Sequence, residues 1–420
     1  MPDTRYVSGN LSIANFIKSA DCRMLCIGDS ISGNPNGGMM DGIVKTWLPD
    51  AWAGFGAVHY QTTGQINAVS NYGQSFATDT SYTGANGPNS CNGWLPTNNG
   101  AGGYFQSFSG ATIGAEANAF TNRIYEGCIQ TANDSRPAVS SGGAAGWYNN
   151  KALTWKMLAL ANSTGLQSFK MSVRNAFGNT TYASLAGQSA RNASQVYTTY
   201  SLDTPAADYT ATIATPYLVI RPTAATTPAA GDNFIGVGCR VDVTGQSGLH
   251  LTNIAIAGTN TTQWANLSGW SQAGVNALVS FLQTNVCYIW LGQNNGGNTN
   301  FQNDIRTIIN YLKAANPNMA FLLISPYQTN PATWTGGYTG SDYSDQLRAI
   351  AAERTDALFL DLWRFTGGKY GIANAYAFLN AQYLRDSVHP QYTYGYDYFA
   401  RSLWAMIEMA IDRQTRFCWR

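Results

Sequence analysis

The chain has 420 residues, of which 45% are hydrophobic and only 11% are charged. Soluble domains typically have about 25% charged residues, so amides and hydroxyls are expected to supply most of the polar surface. The net charge of +1 gives no electrostatic basis for binding nucleic acid or an acidic membrane surface. The sequence contains no run of about 18 apolar residues, which is the length that a membrane-spanning helix needs. The N-terminal residues lack the basic and apolar segments of a signal peptide.

Residues 24–27 are predicted to form a buried strand that runs directly into the Gly-Asp-Ser turn of residues 28–30. Proteins with α/β folds bind their ligands at the carboxyl ends of such strands. A serine hydroxyl becomes a good nucleophile only when a base takes its proton. Because the tripeptide alone also forms ordinary turns, a catalytic role for Ser30 depends on residues elsewhere in the chain. A helix is predicted next, over 39–48.

The long segment that follows is predicted to be an insertion, since structureless loops of more than about 15 residues are uncommon. Residues 1–60 form the first part of the main domain. Residues 61–147 are rich in Gly and Asn and are expected to be irregular. Residues 148–247 contain short strand-sized segments typical of a β-sandwich or jelly roll. The clearest strands in this segment are predicted over 153–160, 168–173, 195–200, 217–221 and 234–241.

Residues 248–420 change to alternating strands and helices, which predicts a parallel sheet covered by helices on both faces. The expected fold class is therefore a three-layer α/β/α domain with a large β-rich insertion. Strands are predicted over 286–291, 319–325 and 358–362, and helices over 274–283, 303–315, 346–353 and 398–412.

Three polar groups in this second part can complete a site around Ser30. The backbone N–H of Gly258 and the side-chain amide of Asn294 follow strand-like segments, and both can donate hydrogen bonds to a developing oxyanion. His389 can accept the serine proton, and Asp386, three residues earlier, can fix the tautomer of its ring. The other two histidines, His59 and His250, lack such a context: one lies among glycines and aromatic residues, and the other opens the strand before Gly258.

These residues form four blocks whose order resembles that of the SGNH (GDSL-type) hydrolase family: 28–31, Gly258, 292–295 and 386–389. The resemblance implies a flavodoxin-like hydrolase domain. It also implies Ser30 as nucleophile, Asp386 and His389 as its partners, and oxyanion donors at Ser30 N–H, Gly258 N–H and Asn294.

Two positions depart from the family pattern. Ile31 replaces a leucine, which is a conservative change. Asn295 stands where the family commonly has Asp, and we interpret this as a change in the contacts that support the site. On the sequence alone, the substitution Asn295→Asp is expected to cause little loss of activity.

The function that these features favour is hydrolysis of carboxylic esters through an acyl-enzyme, with removal of O-acetyl groups from a polysaccharide as the expected reaction. Family members include polysaccharide or peptidoglycan esterases with inserted sandwiches, and also phage tail deacetylases. No cofactor or metal is expected, and the expected partner is an acetylated glycan. Candidate substrate contacts are aromatic residues in glycine-rich or polar segments: Trp147, Tyr148, Trp264 and Trp334.

The alternative function is a carbohydrate-binding adhesin or phage tail protein whose hydrolase core is inactive. A structural role in a virion is a third option, and assembly into a homo-oligomer or virion stays open. The seven cysteines match no disulfide or zinc pattern, and Cys26 and Cys287 are predicted to be buried thiols. Buried thiols without a disulfide pattern fit folding in a reducing cytoplasm. Whether the protein acts in a phage particle, at a cell surface or after secretion stays open.

Overall fold

A computed structural model of the chain describes 17 parts of it. The described residues are 6–19, 21–32, 43, 47, 52–58, 75–78, 104–108, 122–126, 150–175, 181–208, 216–222, 232–255, 258–266, 272–333, 339–368, 371–391 and 394–417. Most of the helix predicted over 39–48 lies outside these residues, so it stays a prediction.

The strands and helices are numbered in chain order. The strands are β1 (Val7–Gly9), β2 (Arg23–Gly28), β3 (Trp52–Val58), β4 (Ser75–Thr78), β5 (Tyr104–Phe108), β6 (Asn122–Glu126), β7 (Leu153–Ala161), β8 (Phe169–Asn175), β9 (Thr181–Gln188), β10 (Val196–Thr204), β11 (Pro216–Pro222), β12 (Asp232–Val243), β13 (Leu249–Asn253), β14 (Val286–Trp290), β15 (Ala320–Ile324) and β16 (Ala357–Leu360). The α-helices are α1 (Ser12–Ser19), α2 (Thr261–Ala265), α3 (Gln272–Leu282), α4 (Phe301–Ala315), α5 (Gly340–Ala352), α6 (Leu362–Phe365), α7 (Ile372–Gln382) and α8 (Tyr394–Phe417).

The chain divides into two compact units. The first contains Met1–Trp52, Ser247–Asn266 and Gln283–Arg420, and the second contains Ala53–Gln246 and Leu267–Leu282. The division predicted from the sequence has four parts and differs from this one, since the second unit starts at Ala53 and also contains Leu267–Leu282. The boundaries of the four predicted parts stay predictions.

The first unit is built on a sheet with the strand order β1-β16-β15-β14-β2-β13. Neighbouring strands from β16 to β13 run parallel, and β1 pairs antiparallel with β16. Numbered along the chain, the parallel strands have the order 2-1-3-4-5, which is the flavodoxin-like arrangement. Its switch point lies where β2 pairs with β14, so loops that follow these strands meet at one edge of the sheet.

Continuous apolar segments explain why these strands form a parallel sheet. All five residues of β14 are buried, and so are all four of β16. Parallel strands are covered on both faces, so they lack the alternation of a half-exposed strand. Cys26 in β2 and Cys287 in β14 are buried free thiols, as predicted, and burial raises the pKa of both.

Several helices of the first unit pack against one another. α1 packs against α8, while α4 packs against both α2 and α5. The helix predicted over 303–315 is present as α4, and the apolar residues that share one of its faces, Ile305, Ile308, Ile309 and Leu312, are all buried. α5 begins six residues before the predicted start, since Asp342 accepts hydrogen bonds from the N–H and hydroxyl of Thr339 and so caps the helix.

The second unit is rich in antiparallel strands. One set has the order β3-β12-β7-β10, with β5 also paired to β12. The other has the order β4-β6-β11-β8-β9. Phe169 and Tyr200, one from each set, meet edge to face with ring centroids 5.0 Å apart. The additional β-rich region is therefore present, and its description as a sandwich or jelly roll stays a prediction.

The expectation of irregular structure over 61–147 requires a correction, because β4, β5 and β6 lie within that segment. These strands have only four or five residues each. Gly-rich surroundings hide such short β-forming runs from a pattern analysis. Among the described helices, none is long and apolar enough to cross a bilayer.

Candidate active site

The nucleophile candidate Ser30 lies two residues after the end of β2, at the carboxyl edge of the sheet. The carboxylate of Asp29 shapes this turn, because its Oδ1 accepts the N–H of Ile31 at 2.9 Å. Gly28 leaves room for the turn: a Cβ there would lie 2.7 Å from the side chain of Ser32. The strand end and the turn therefore present a partly exposed serine next to a buried carboxyl group.

His389 and Asp386 lie beside this serine. The Nε2 atom of His389 is 2.9 Å from Ser30 Oγ, although the two residues are 359 positions apart in the chain. On the other side of the ring, Nδ1 lies 3.1 and 3.0 Å from the two carboxylate oxygens of Asp386. The three side chains thus form a serine–imidazole–carboxylate chain of hydrogen bonds.

Backbone contacts hold the loop that carries this acid and base. Asp386 Oδ1 also accepts the N–H groups of His389 at 2.7 Å and Val388 at 3.2 Å. The carbonyl of Val388 accepts the hydroxyl of Tyr327 at 2.6 Å. Ser387 has a positive φ of 66°, a conformation that lets the chain turn sharply enough to bring His389 back over Asp386.

The two carboxyl groups of the site differ in environment. Burial alone would raise the pKa of Asp386, but hydrogen bonds from the backbone and ring of His389, together with its charge, lower the pKa overall. Asp29 is buried, and loss of solvation raises its pKa to about 7 despite the N–H groups that it accepts. Asp386 is therefore suited to remain a carboxylate beside the imidazole, whereas Asp29 binds its proton far more strongly than an exposed aspartate does.

The predicted oxyanion donors follow the two strands on either side of β2. Gly258 lies after β13 with a φ of +78°, and a Cβ at this position would have no atom within 4 Å. Backbone conformation, and not lack of space, therefore favours glycine here. Asn294 lies after β14, and its Nδ2 donates to the carbonyl of Thr259 at 3.2 Å. That bond leaves the second amide hydrogen for another acceptor.

Thr259 joins three of the sequence blocks, although it was not predicted as a site residue. It follows Gly258, and its carbonyl holds Asn294. Its buried hydroxyl donates to the carbonyl of Gly28 at 3.3 Å and accepts the indole N–H of Trp264 at 2.9 Å. No periodic or charge signal marks such a residue, and only its position next to Gly258 could have suggested it.

The predicted substrate contacts fare differently from the catalytic candidates. Trp264 requires a correction: it is fully buried, and its N–H bonds to Thr259, so the ring supports the loop from the interior. A polar sequence context does not report depth, which explains the error. Trp147, Tyr148 and Trp334 lie outside the described residues and stay predictions.

Of the other two histidines, only His250 lies among the described residues, and it takes no part in this site. His250 lies at the start of β13, at the opposite edge of the sheet from Ser30, and its Nε2 is 3.2 Å from a carboxylate oxygen of Asp21. His59 lies outside the described residues.

Comparison with known proteins gives a match in fold. No protein-family model and no curated protein sequence matches the chain. A solved structure described as a peptidoglycan O-acetylesterase in action is similar over 97% of this chain and 99% of its own, with a TM-score of 0.57 and 16% identity. An acetyl esterase solved as a mutant with an acetate ion has 17% identity over 40% of this chain and 75% of its own, with a TM-score of 0.28. A GDSL-like lipase from Parabacteroides merdae has 18% identity over 38% and 73%, with a TM-score of 0.27.

The parallel sheet, its strand order and this similarity define the fold class. The chain has a mixed α/β fold similar to that of SGNH hydrolases, with additional β regions. The fold class predicted from the sequence is confirmed.

Proposed function

We propose that the protein is a serine esterase that hydrolyses carboxylic esters through an acyl-enzyme on Ser30. The observation that supports this most directly is the 2.9 Å distance between Ser30 Oγ and His389 Nε2, with Asp386 bonded to the other ring nitrogen. A hydroxyl at this distance from an imidazole nitrogen can transfer its proton as it attacks a carbonyl carbon.

The reaction proceeds in two halves. As Ser30 Oγ bonds to the ester carbonyl carbon, His389 takes the serine proton and Asp386 stabilises the resulting imidazolium. The oxyanion accepts hydrogen bonds from Ser30 N–H, Gly258 N–H and the Asn294 amide. The C–O bond to the alcohol then breaks, and His389 gives the alcohol its proton. In the second half, His389 deprotonates a water that attacks the acyl group, which releases the acid and restores Ser30.

The substrate that we propose is an O-acetylated polysaccharide. A chain with few charges and 13% aromatic residues suits neutral sugars, since rings stack on sugars and amides bond hydroxyls. The similarity in fold to a peptidoglycan O-acetylesterase extends along nearly the whole chain. O-acetylated peptidoglycan is therefore the first glycan to test, followed by acetylated plant and bacterial polysaccharides.

The test compares the wild type with Ser30→Ala on these glycans and on 4-nitrophenyl acetate, with released acetate measured by mass spectrometry. Activity on both substrate classes should fall by at least about a thousandfold in the variant. The melting temperature should stay within a few degrees of the wild type, because the hydroxyl lies at a partly exposed position. More than about a hundredth of the activity remaining would remove Ser30 from this role.

Two other outcomes decide the substrate. Hydrolysis of the small ester without acetate release from any glycan would support the esterase activity and exclude a polysaccharide as the substrate. Glycan binding by the wild type without release of acetate from any ester would favour the adhesin.

A further inference from the structure

Asn295 and Asp304 belong to one group of hydrogen bonds next to the oxyanion donors. Asn295 is buried directly after Asn294, and it contacts Thr261, the first residue of α2. Its Nδ2 donates to the Thr261 hydroxyl at 2.5 Å, and its Oδ1 accepts the Thr261 N–H at 3.4 Å. The segment that carries Asn294 is thus clamped to the segment that carries Gly258.

The hydroxyl of Thr261 in turn donates a hydrogen bond to a carboxylate, that of Asp304. The accepting atom is Asp304 Oδ2, at 2.9 Å. The same oxygen accepts the hydroxyl of Thr262 at 2.8 Å and the side-chain amide of Asn298 at 2.9 Å. Asp304 lies in the first turn of α4, where the positive end of a helix dipole stabilises a carboxylate.

We infer that Asp304 is a positioning residue for the oxyanion donors, because its carboxylate anchors the Thr261 hydroxyl to which Asn295 donates. The direction of the bonds supports the assignment: the Asn295 amide donates to Thr261, and Thr261 donates to Asp304. The single hydroxyl proton of Thr261 can satisfy only one acceptor, which is Asp304, so the group at position 295 has to be a donor. The inference rests on the proposed esterase reaction, since it assigns the clamp to that reaction's oxyanion donors.

The direction of these hydrogen bonds changes the activity expected of Asn295→Asp, for which the sequence alone predicts little loss. A carboxylate at 295 would compete with Asp304 for the Thr261 proton, and two negative groups would face the same hydroxyl. The substitution should therefore separate the two segments slightly and misplace the Asn294 amide. Small errors of position in a catalytic group cost large factors in rate.

The decisive variant exchanges the two residues, Asn295→Asp with Asp304→Asn. We call the hydrogen bonds from Asn295 through Thr261 to Asp304 the relay. In the exchanged protein the new amide at position 304 can donate to Thr261, and Thr261 can donate to the new carboxylate at position 295, so the relay runs in the opposite direction. With 4-nitrophenyl acetate as the probe, we expect Asn295→Asp to lower kcat about tenfold or more with less than a twofold change in KM. We expect Asp304→Asn to lower kcat less, since an amide oxygen still accepts a hydrogen bond. We expect the kcat of the exchanged protein to be at least about five times that of Asn295→Asp.

Asn285 offers a matched control at the opposite edge of the sheet. Its Oδ1 accepts the N–H of Arg23, and its Nδ2 donates to the carbonyl of Asp21, both at 2.8 Å. Asn285→Asp should lower the melting temperature and leave kcat unchanged. If Asn295→Asp behaves in the same way, Asn295 has only a structural role and the inference is wrong.

Melting temperatures keep the test independent of the reaction. The exchange should restore part of the melting temperature lost in Asn295→Asp. If the exchanged protein has neither a higher kcat nor a higher melting temperature than Asn295→Asp, the relay is overturned. Should Asn295→Asp not fold, Thr261→Ser should keep kcat and Thr261→Val should lower it, and equal kcat in these two overturns the inference. Failure of the proposed function is distinct, because Ser30→Ala would then match the wild type whatever the relay does.

Discussion

Ser30 gains its proposed reactivity from two side chains that a single short loop holds together. Asp386 accepts both the backbone N–H and the ring of His389, so the same carboxylate fixes the loop and orients the base. The sequence could predict this pair, because an acid three residues before a histidine is a local pattern. It could not predict the positive φ of Ser387, which depends on the folded loop.

Asn294→Ala tests the oxyanion role of the amide. An oxyanion donor acts mainly when negative charge develops, so we expect kcat to fall about a hundredfold while KM changes little. Steady-state kinetics on 4-nitrophenyl acetate would measure both constants. A rise in KM at unchanged kcat would instead assign Asn294 to binding of the ground state.

Asp29 makes the stability of the protein depend on pH. Burial raises its pKa from 3.8 to about 7, so the folded protein binds this proton more tightly than the unfolded chain does. The contribution to stability is therefore full below about pH 4, declines as the pH rises, and is lost above about pH 7. Asp386 acts in the opposite direction: its lowered pKa contributes stability that is lost as the pH falls through its folded value.

Asp29→Asn removes the titrating proton but keeps the turn, because an amide oxygen can still accept the Ile31 N–H. The free energy of unfolding of the variant minus that of the wild type should increase by on the order of 2 kcal/mol between pH 5 and pH 8. Urea unfolding of both proteins at the two pH values would give the difference. A difference that does not change with pH would show that Asp29 titrates normally in the fold.

At the scale of elements, the segment from Gly258 through α2 connects the sequence blocks. Thr259 reaches the end of β2 through Gly28 and the segment after β14 through Asn294. α2 then continues the same segment, and its Trp264 closes the interior side of Thr259. Residues from three parts of the chain are thereby fixed at one edge of the sheet.

Thr259→Val and Thr259→Ser test this connection as a pair. Valine has a similar shape but leaves the buried Trp264 N–H and Gly28 carbonyl without the hydroxyl, which costs about 1–3 kcal/mol. We expect Thr259→Val to lower kcat about tenfold and Thr259→Ser to keep it within about twofold, in the same small-ester assay. Equal kcat values for the two variants would exclude a role for the hydroxyl.

The elements that the sequence predicted well are those with an unbroken apolar pattern. β14, β15 and α4 lie where continuous or helically spaced apolar residues place them. β1 and α7 were missed, because β1 has three residues and α7 lacks a strong apolar face. Thr259 and Asp304 were missed for another reason: their roles come from hydrogen bonds between distant segments, and such bonds leave no local pattern.

At the scale of the whole molecule, the flavodoxin-like strand order brings the separate blocks to one edge of the sheet. β2 lies between β13 and β14, so the turn with Ser30 is flanked by the segments of Gly258 and Asn294. His389, which contacts Ser30, lies 359 positions further along the chain. The reactivity of Ser30 should therefore exist only in the folded protein.

The most direct measurement of this claim is mass spectrometry of the intact protein and its peptides after treatment with a fluorophosphonate, a probe that bonds covalently to activated serines. We predict one adduct per chain, mapped to Ser30, with no adduct in Ser30→Ala, in His389→Ala or in urea-unfolded wild type. An adduct that maps to another residue, or that forms equally in Ser30→Ala, would contradict the account.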